Sequence, residues 1–161
     1  MSLLFSPLKI KSIELKNRIV VSPMCQYSST DGFANDWHLV HLGSRAVGGA
    51  ALIIQEASAV SPEGRITYAD MGIWKDEHIA KLHQITSFIH LNGSVAGIQL
   101  AHAGRKASCE KPWLGGTQIR SGENHWQTVA PSPIAFREED MEPHALTITE
   151  IERITEREHQ P

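Results

Sequence analysis

A run of β-branched residues followed by polar and sulfur-bearing side chains is the part of the sequence best suited to chemistry. Ile19, Val20 and Val21 favour a buried strand, and Pro23 removes a backbone donor where that strand must stop. The loop that follows contains Ser22, Met24, Cys25, Gln26 and Tyr27. Parallel-sheet proteins bind ligands beyond the carboxyl ends of their strands, so this order predicts a ligand site. The alternative is that the thiol and the phenol only pack against the core.

Two further strand ends carry compatible groups. Ala57 and Ser58 lie in the second predicted strand, and Gln99 lies in the third, just before residues 101–106. Small residues, a side-chain amide and a soft sulfur together suit a flat, hydrogen-bonding heterocycle better than a hydrolytic nucleophile. Gln99 offers both an acceptor and donors to such a ring; the alternative is an amide satisfied by nearby backbone.

Strands and helices alternate around these loops. Apolar and polar residues alternate within residues 3–17, which predicts a hairpin before the first core strand. Asn35 or Asp36 is expected to cap a helix, and the continuous apolar run over residues 50–60 predicts a buried strand. Asp76 is expected to cap a second helix before a strand over residues 95–100. The alternation predicts an α/β fold with a parallel sheet.

The rest of the sequence is less regular. Residues 104–147 are rich in Gly, Pro and polar residues and form an excursion longer than an ordinary strand–helix loop. Thr149 and Glu152 can form a capping box at the start of a third helix. Residues 155–161 carry no apolar side chain at helical spacing, so this tail is expected to interrupt that helix.

Composition excludes several classes of function. The 161 residues suit one domain, and 15 basic against 18 acidic residues leave no basic block for nucleic acid. Cys25 and Cys109 lie in no paired motif, and no apolar run is long enough for a membrane span, so a cytoplasmic protein is expected. His38 and His41 lack a third ligand at zinc-enzyme spacing. We therefore expect no metal site and interpret the two histidines as packing or capping residues.

Four ordered motifs resemble one family. They are Pro-Leu-Lys-Ile at 7–10, Leu-Lys-Asn-Arg-Ile-Val-Val-Ser-Pro-Met-Cys-Gln-Tyr at 15–27, Gly-Arg-Ile at 64–66 and Gln-Leu-Ala-His-Ala-Gly-Arg-Lys-Ala at 99–107. Together they resemble the Old Yellow Enzyme family of NADH:flavin oxidoreductases. The subgroup indicated carries a cysteine after the first strand, as xenobiotic reductases and NADPH dehydrogenases do. The resemblance extends from about residue 3 to residue 154.

The resemblance implies a (β/α)8 TIM barrel with FMN at the carboxyl ends of its strands. A barrel of this kind has about 250 residues, so the chain is expected to be an amino-terminal portion of an incomplete domain, with roughly the first three βα units and the hairpin. The residues implied to bind the cofactor are Ser22, Pro23, Met24, Cys25, Ala57 and Gln99. Tyr27 is implied to touch the substrate, and Ile66 to line the same pocket. The Cys25 sulfur is implied to tune the flavin rather than to act as a nucleophile.

The implied activity is that of an ene-reductase. NAD(P)H would reduce the flavin, which would in turn reduce a small activated alkene or nitro compound. No catalytic residue is assigned within this chain, since the family's proton donor is expected beyond residue 161. A homo-oligomer is one possibility for the full-length form. The alternatives are a non-catalytic fragment and a partner-binding α/β module.

Overall fold

Strands and helices alternate through the first two thirds of the chain. The computed structural model describes residues 2–159. Its strands are β1 (Leu8–Ile10), β2 (Ile13–Leu15), β3 (Val20–Val21), β4 (Leu52–Ala59), β5 (Met71–Gly72), β6 (Val95–Ala101), β7 (Val129–Ala130) and β8 (His144–Ala145). Its α-helices are α1 (Asp36–Val47), α2 (Ile79–Leu91) and α3 (Ile148–His159). The order β3–α1–β4 and then α2–β6 matches the predicted strand–helix alternation.

The central sheet is built around β4. Strands β3 and β6 pair with β4 in parallel on its two sides, with Val21 opposite Ile53 and Ala57 opposite Gln99. Strand β5 pairs in parallel with the last two residues of β4. Within residues 2–159 no strand pairs with the outer edge of β6, so the sheet is an open arc. The carboxyl ends of β3, β4 and β6 therefore meet along one rim.

One face of this arc is covered by α1 and α2. The buried cluster between sheet and helices comprises Ala34, Leu42, Ala46, Ala50, Ile53, Met71, Ile85 and Ile89. A Cβ at Gly43 would lie 2.9 Å from Cε1 of Phe88, so glycine permits α1 and α2 to approach closely. On β6, Ile98 and Leu100 remain 40% and 44% exposed. Of the two strands predicted to be buried, β4 is mostly buried, whereas the prediction is wrong for β3, where Val20 is 46% exposed.

The amino-terminal hairpin lies at the opposite end of the sheet from the rim. Strands β1 and β2 pair antiparallel, and Lys11 adopts a left-handed φ of 52° in the turn between them. Nζ of Lys16 lies 2.9 Å from the carbonyl oxygen of Asn92, just before β6 begins. The hairpin predicted within residues 3–17 is confirmed, and it is attached at the amino-terminal side of the sheet.

Helix α1 begins with a side-chain cap, whereas helix α2 begins after a 3-10 turn. Asn35 caps α1: its side chain accepts a hydrogen bond from the backbone of Trp37, while His38 accepts one from the backbone of Asn35. Of the two residues proposed for this cap, Asn35 is therefore correct. The prediction that Asp76 caps α2 is wrong. Asp76 lies inside a 3-10 turn over Asp76–His78 that leads into α2, so His78 occupies the cap position of α2, without a side-chain capping hydrogen bond.

Helix α3 starts two residues earlier than predicted and continues further. The capping box is formed by Thr147 and Glu150, because Oε2 of Glu150 accepts hydrogen bonds of 2.8 Å from both the backbone N–H and the hydroxyl of Thr147. The predicted pair of Thr149 and Glu152 lies within the helix. The tail over residues 155–161 was expected to interrupt the helix, yet α3 runs to His159. Exposed Glu156 and Arg157 continue it, since an exposed helical turn needs no apolar face.

The long excursion predicted over residues 104–147 is ordered by short pairings. Strands β7 and β8 pair in parallel, and isolated bridges join Cys109 to Thr67 and to Gln118. The indole of Trp126 donates a hydrogen bond of 3.0 Å to the carbonyl of Glu63. These contacts attach the excursion to the segment between β4 and β5, above the rim. Among residues 2–159, no helix combines the length and the apolar character that a membrane crossing needs.

Candidate cofactor and substrate site

The rim gathers residues from three strand ends. The chain beyond β3 runs beside the second half of β4, and Ala57 of β4 lies opposite Gln99 of β6. Ser22, Met24 and Gln99 are exposed along this rim, while Pro23, Cys25 and Ala57 are half-buried. The side chain of Gln99 makes no hydrogen bond to any residue between 2 and 159. Its amide is available to a ligand that lies across the rim.

Glu56 lies directly beneath the loop that follows β3. The pairing of β4 with β6 shifts register between Gln55 and Ala57, so Glu56 occupies a β-bulge, and it is 4% exposed. Its Oε2 accepts a hydrogen bond of 2.7 Å from the backbone N–H of Gln26. Glu56 was not among the site residues predicted from the sequence. The available signal was a charged residue inside an apolar strand, which is costly unless it has hydrogen-bond partners.

Burial dominates the electrostatics of Glu56. It raises the pKa of Glu56 to about 7, and the hydrogen bond from Gln26 only partly opposes that rise. The carboxyl group of Asp70 adds a smaller rise in the same direction. Asp70 is itself 2% exposed and accepts hydrogen bonds from Ile66 and Thr67. Two carboxyl groups are therefore buried below the rim.

His38 of α1 is the neighbour of Glu56 on its other side. Its Nδ1 accepts the backbone N–H of Asn35 at 3.1 Å, which leaves the proton of the neutral ring on Nε2. Nε2 lies 3.4 Å from Oγ of Ser29 and 3.7 Å from Oε1 of Glu56, too far for a hydrogen bond to the carboxylate. Burial lowers the pKa of His38 to about 4, with a smaller contribution from His41. The contact is therefore not an ion pair at neutral pH.

The role predicted for His38 in helix capping is confirmed, since it completes the box at the start of α1. Across residues 2–159 no three His, Cys, Asp or Glu side chains converge to hold a metal ion. His41 lies on the same helix and is half-buried beside Arg45. Burial lowers the pKa of His41, and the charge of Arg45 lowers it further by a smaller amount.

Cys25 is half-buried at the rim. Burial raises the pKa of its thiol, and the nearby carboxyl groups of Asp70 and Glu56 raise it further. Hydrogen bonds from the Tyr27 side chain and the Ala57 backbone act in the opposite direction but are smaller. The thiol is therefore neutral at physiological pH, which is unfavourable for a nucleophile because the thiolate is the reactive form.

Tyr27 and Ile66, the two residues predicted to meet the substrate, line one cavity of about 400 Å³. Tyr27 has a φ of +48°, in the left-handed region that non-glycine residues rarely adopt, and its ring meets that of Trp113 edge-on at 6.0 Å. Burial raises the pKa of its hydroxyl, so it remains protonated. The long excursion supplies the opposite wall, including Lys106 and Phe136, whose ammonium and ring centre are 4.2 Å apart. Lys106 and Phe136 were not among the site residues predicted from the sequence.

Comparison with known proteins identifies the family. Residues 3–157 match the model of the NADH:flavin oxidoreductase / NADH oxidase family, and the chain belongs to this family. It is 47% identical over 134 residues to an NADH:flavin oxidoreductase of Gibberella zeae. That match covers 81% of this chain and 32% of the relative, so the chain spans about a third of the relative's length.

Solved structures of the same family superpose well on the chain. Old Yellow Enzyme from Pichia sp. AKU4542 aligns with a TM-score of 0.80 and 29% identity, over 96% of this chain and 40% of that one. Morphinone reductase in complex with tetrahydroNAD aligns with a TM-score of 0.77 and 28% identity, over 98% of this chain and 44% of that one. The predicted family and fold class are confirmed: the open arc is part of a (β/α)8 barrel, which residues 2–159 do not close.

Proposed function

We propose that this protein is an FMN-dependent oxidoreductase that uses NADH or NADPH to reduce alkenes activated by a carbonyl or nitro group. Membership of the flavin oxidoreductase family supports the cofactor class. The morphinone reductase structure with bound tetrahydroNAD supports a nicotinamide reductant. The observation that carries the proposal is the register that sets Ala57 beside Gln99, with the Cys25 loop running along the same rim.

The residues at the rim fit a flavin by their chemistry. Gln99 presents an amide without a partner among the described residues, and an amide matches the adjacent C=O and N–H groups of a pyrimidine edge. Ser22, Pro23, Met24 and Cys25 would line the ring system from the first strand end, and Ala57 would meet it from the second. When bound, the flavin supplies hydride transfer between the nicotinamide and the alkene.

The protein's own residues bind, orient and exclude water in this proposal. Tyr27 and Ile66 would contact the substrate in the cavity they share, and Lys106 and Phe136 would limit its size. The protonated thiol of Cys25 would adjust the electronic properties of the bound ring without forming a covalent bond. No residue of this chain is assigned as the proton donor. Residues 1–161 are proposed to form one incomplete barrel domain, and a cytoplasmic location and a homo-oligomeric full-length form remain predictions.

Flavin titration tests the assignment of Gln99. In the protein as its gene encodes it, Gln99→Leu should weaken FMN binding about 10- to 100-fold, because two hydrogen bonds of about 1 kcal/mol each are lost beside a desolvated ring. The matched control is Gln84→Leu on α2, which is exposed away from the rim and should leave the Kd unchanged. Equal Kd values for both variants would contradict the assignment. Failure of the unmodified protein to bind FMN would favour a non-catalytic, partner-binding role.

A second measurement tests the substrate class. The flavin-loaded protein should oxidise NADH or NADPH faster when cyclohexenone is present under anaerobic conditions, because the carbonyl activates the double bond. Cyclohexanone, which lacks the double bond, is the matched control and should have no effect. Equal rates with the two ketones would exclude alkene reduction.

A further inference from the structure

A buried carboxyl group holds the loop on which the proposed site depends. Glu56 is 4% exposed and occupies the bulge of β4, and its Oε2 lies 2.7 Å from the backbone nitrogen of Gln26. The backbone N–H of the residue that follows Cys25 is therefore satisfied by a side chain that belongs to the neighbouring strand.

The loop needs such support because its backbone is unfavourable. Tyr27 adopts a φ of +48°, and a non-glycine residue held there costs about 1 kcal/mol or more unless the surroundings fix it. Gln26 contributes a second restraint, since its side-chain amide donates 2.8 Å to the carbonyl of Met24 and accepts 3.2 Å from the indole of Trp37. Those two contacts are on the exposed side of the loop, so Glu56 supplies the buried support.

We propose that Glu56 is the positioning residue of the Cys25-Gln26-Tyr27 turn, and that gain or loss of its proton changes how firmly Cys25 and Tyr27 are held at the rim. This inference rests on the proposed function, because it concerns the loop proposed to face the flavin and the substrate. An ionised carboxylate accepts stronger hydrogen bonds from backbone N–H groups than a neutral carboxyl does. The hydrogen bond that holds the turn is therefore stronger when Glu56 is charged, although burial of that charge lowers the free energy of unfolding of the protein as a whole.

The groups that face Glu56 determine when it charges. His38 of α1 approaches one oxygen at 3.7 Å, with His41 behind it. Cys25 and Tyr27 approach from the loop after β3, and Asp70 from the segment before β5, with Arg65 beside Asp70. None of these groups places a cation against the carboxylate, because His38 is neutral above about pH 4. Burial keeps the pKa of Glu56 at about 7, inside the physiological range.

The reactivity of Cys25 reports this proton directly. When Glu56 ionises, the turn tightens and the new negative charge raises the pKa of the thiol further, so both effects slow alkylation. The rate of reaction with iodoacetamide, followed by mass spectrometry on the Cys25 peptide, is measured between pH 5.5 and 9 on the natural full-length protein freed of flavin. An isolated thiol gives a logarithmic rate that rises with unit slope below its pKa. For Cys25 we expect a slope below unity between about pH 6 and pH 8. At pH 8 its alkylation rate should therefore be about three- to tenfold lower than extrapolation with unit slope from pH 6 would give.

The variant Glu56→Gln should restore unit slope and react about three- to tenfold faster than the unmodified protein at pH 8, with similar rates at pH 6. Its amide oxygen can still accept from the backbone, so a purely structural role would leave the pH profile unchanged. The control is Asp70→Asn, which removes the neighbouring carboxyl group and keeps one oxygen that can accept hydrogen bonds from Thr67. It should retain the reduced slope near pH 7, because Glu56 is still present.

Unit slope in the unmodified protein would overturn the inference, whether or not the variants fold. A reduced slope that persists in Glu56→Gln would also overturn it, by assigning the proton to another group. Because alkylation is measured without flavin, these results are independent of whether the protein binds FMN. A protein with the expected profile but no affinity for FMN would retain this inference for the turn and contradict only the proposed function.

Discussion

Two loops leave the carboxyl ends of the strands that flank β4, and they are held in opposite ways. The loop after β3 rests on Glu56, a carboxyl group that is 4% exposed. The loop after β6 is held by backbone pairings and by cations around an exposed ring, with Lys106 and Arg105 near Phe136. The support of the first loop is sensitive to ionisation, since the carboxylate of Glu56 is buried away from bulk water. The second should tolerate change, since exposed charge contacts contribute about 1 kcal/mol or less.

The largest expected difference in stability is between a variant that removes buried hydrogen bonds and a variant that removes an exposed ring. Asp70 accepts hydrogen bonds of 2.7, 3.0 and 2.7 Å from Ile66 and Thr67, so Asp70→Ala leaves three donors without an acceptor. The free energy of unfolding should fall by about 3 kcal/mol or more in urea titrations. Phe136→Ala, in the long loop, should lower it by about 1 kcal/mol or less because the ring is 43% exposed. A larger loss for Phe136→Ala would reverse the comparison.

Glu56 and His38 should make the free energy of unfolding depend on pH in opposite directions. In the folded protein the pKa of Glu56 is raised to about 7. Glu56 therefore stabilises the folded state fully at low pH, and this stabilisation is lost as pH rises from about 4.5 to 7. His38 has a folded pKa lowered to about 4, so its contribution is present above about 6.5 and is lost as pH falls to 4. The two slopes oppose one another and nearly cancel between about pH 4.5 and 6.5.

In a variant that lacks one of the two groups, the pH dependence of the free energy of unfolding should show the effect of the other group alone. Glu56→Gln should gain about 3 kcal/mol of stability, relative to the unmodified protein, as pH rises from 4.5 to 7, whereas His38→Gln should show the opposite relative trend. Urea unfolding at a series of pH values measures both differences, and exposed carboxyl groups common to all variants cancel. Parallel curves for the three proteins would mean that neither group titrates abnormally.

The smallest expected effect lies where the long loop ends. Thr147→Ala removes the hydroxyl that pairs with Glu150 at the start of α3, and it should cost about 1 kcal/mol. Thr149→Ala alters the residue that the sequence pattern also offered as a cap and should change stability by only a few tenths of a kcal/mol. Thermal unfolding of the two variants compares them, and a greater loss for Thr149→Ala would place the helix start two residues later.

The sequence predicted the parts of the fold that depend on local patterns. Continuous apolar runs identified β4 and β6, and the alternating pattern identified the hairpin. The start of α3 was misplaced because residues 147–150 and 149–152 both fit the capping pattern, and the choice depends on Leu146, whose N–H donates 2.8 Å to Ala130 in the β7–β8 pairing. The predicted cap at Asp76 was wrong because a 3-10 turn over Asp76–His78 precedes α2 and moves its cap position to His78.

For the candidate site, strand order was enough to predict which residues share the rim. It was not enough to identify what supports them. Glu56 and Gln26 are 30 positions apart, and no local pattern in either segment encodes their hydrogen bond. Similarly, the cavity wall of Lys106 and Phe136 arises only after the long loop folds back. Groups that act through tertiary contacts therefore require the structure, whereas groups at strand ends can be read from the sequence.

A crystal structure of the full-length protein with FMN would show whether the rim binds the cofactor. We expect the flavin ring to lie across the carboxyl ends of β3, β4 and β6, with its pyrimidine edge hydrogen-bonded to Gln99 and the Cys25 thiol beside the ring. Glu56 should still accept the backbone N–H of Gln26 beneath it. A flavin bound elsewhere, with Gln99 facing only solvent, would contradict the assignment of this rim as the cofactor site.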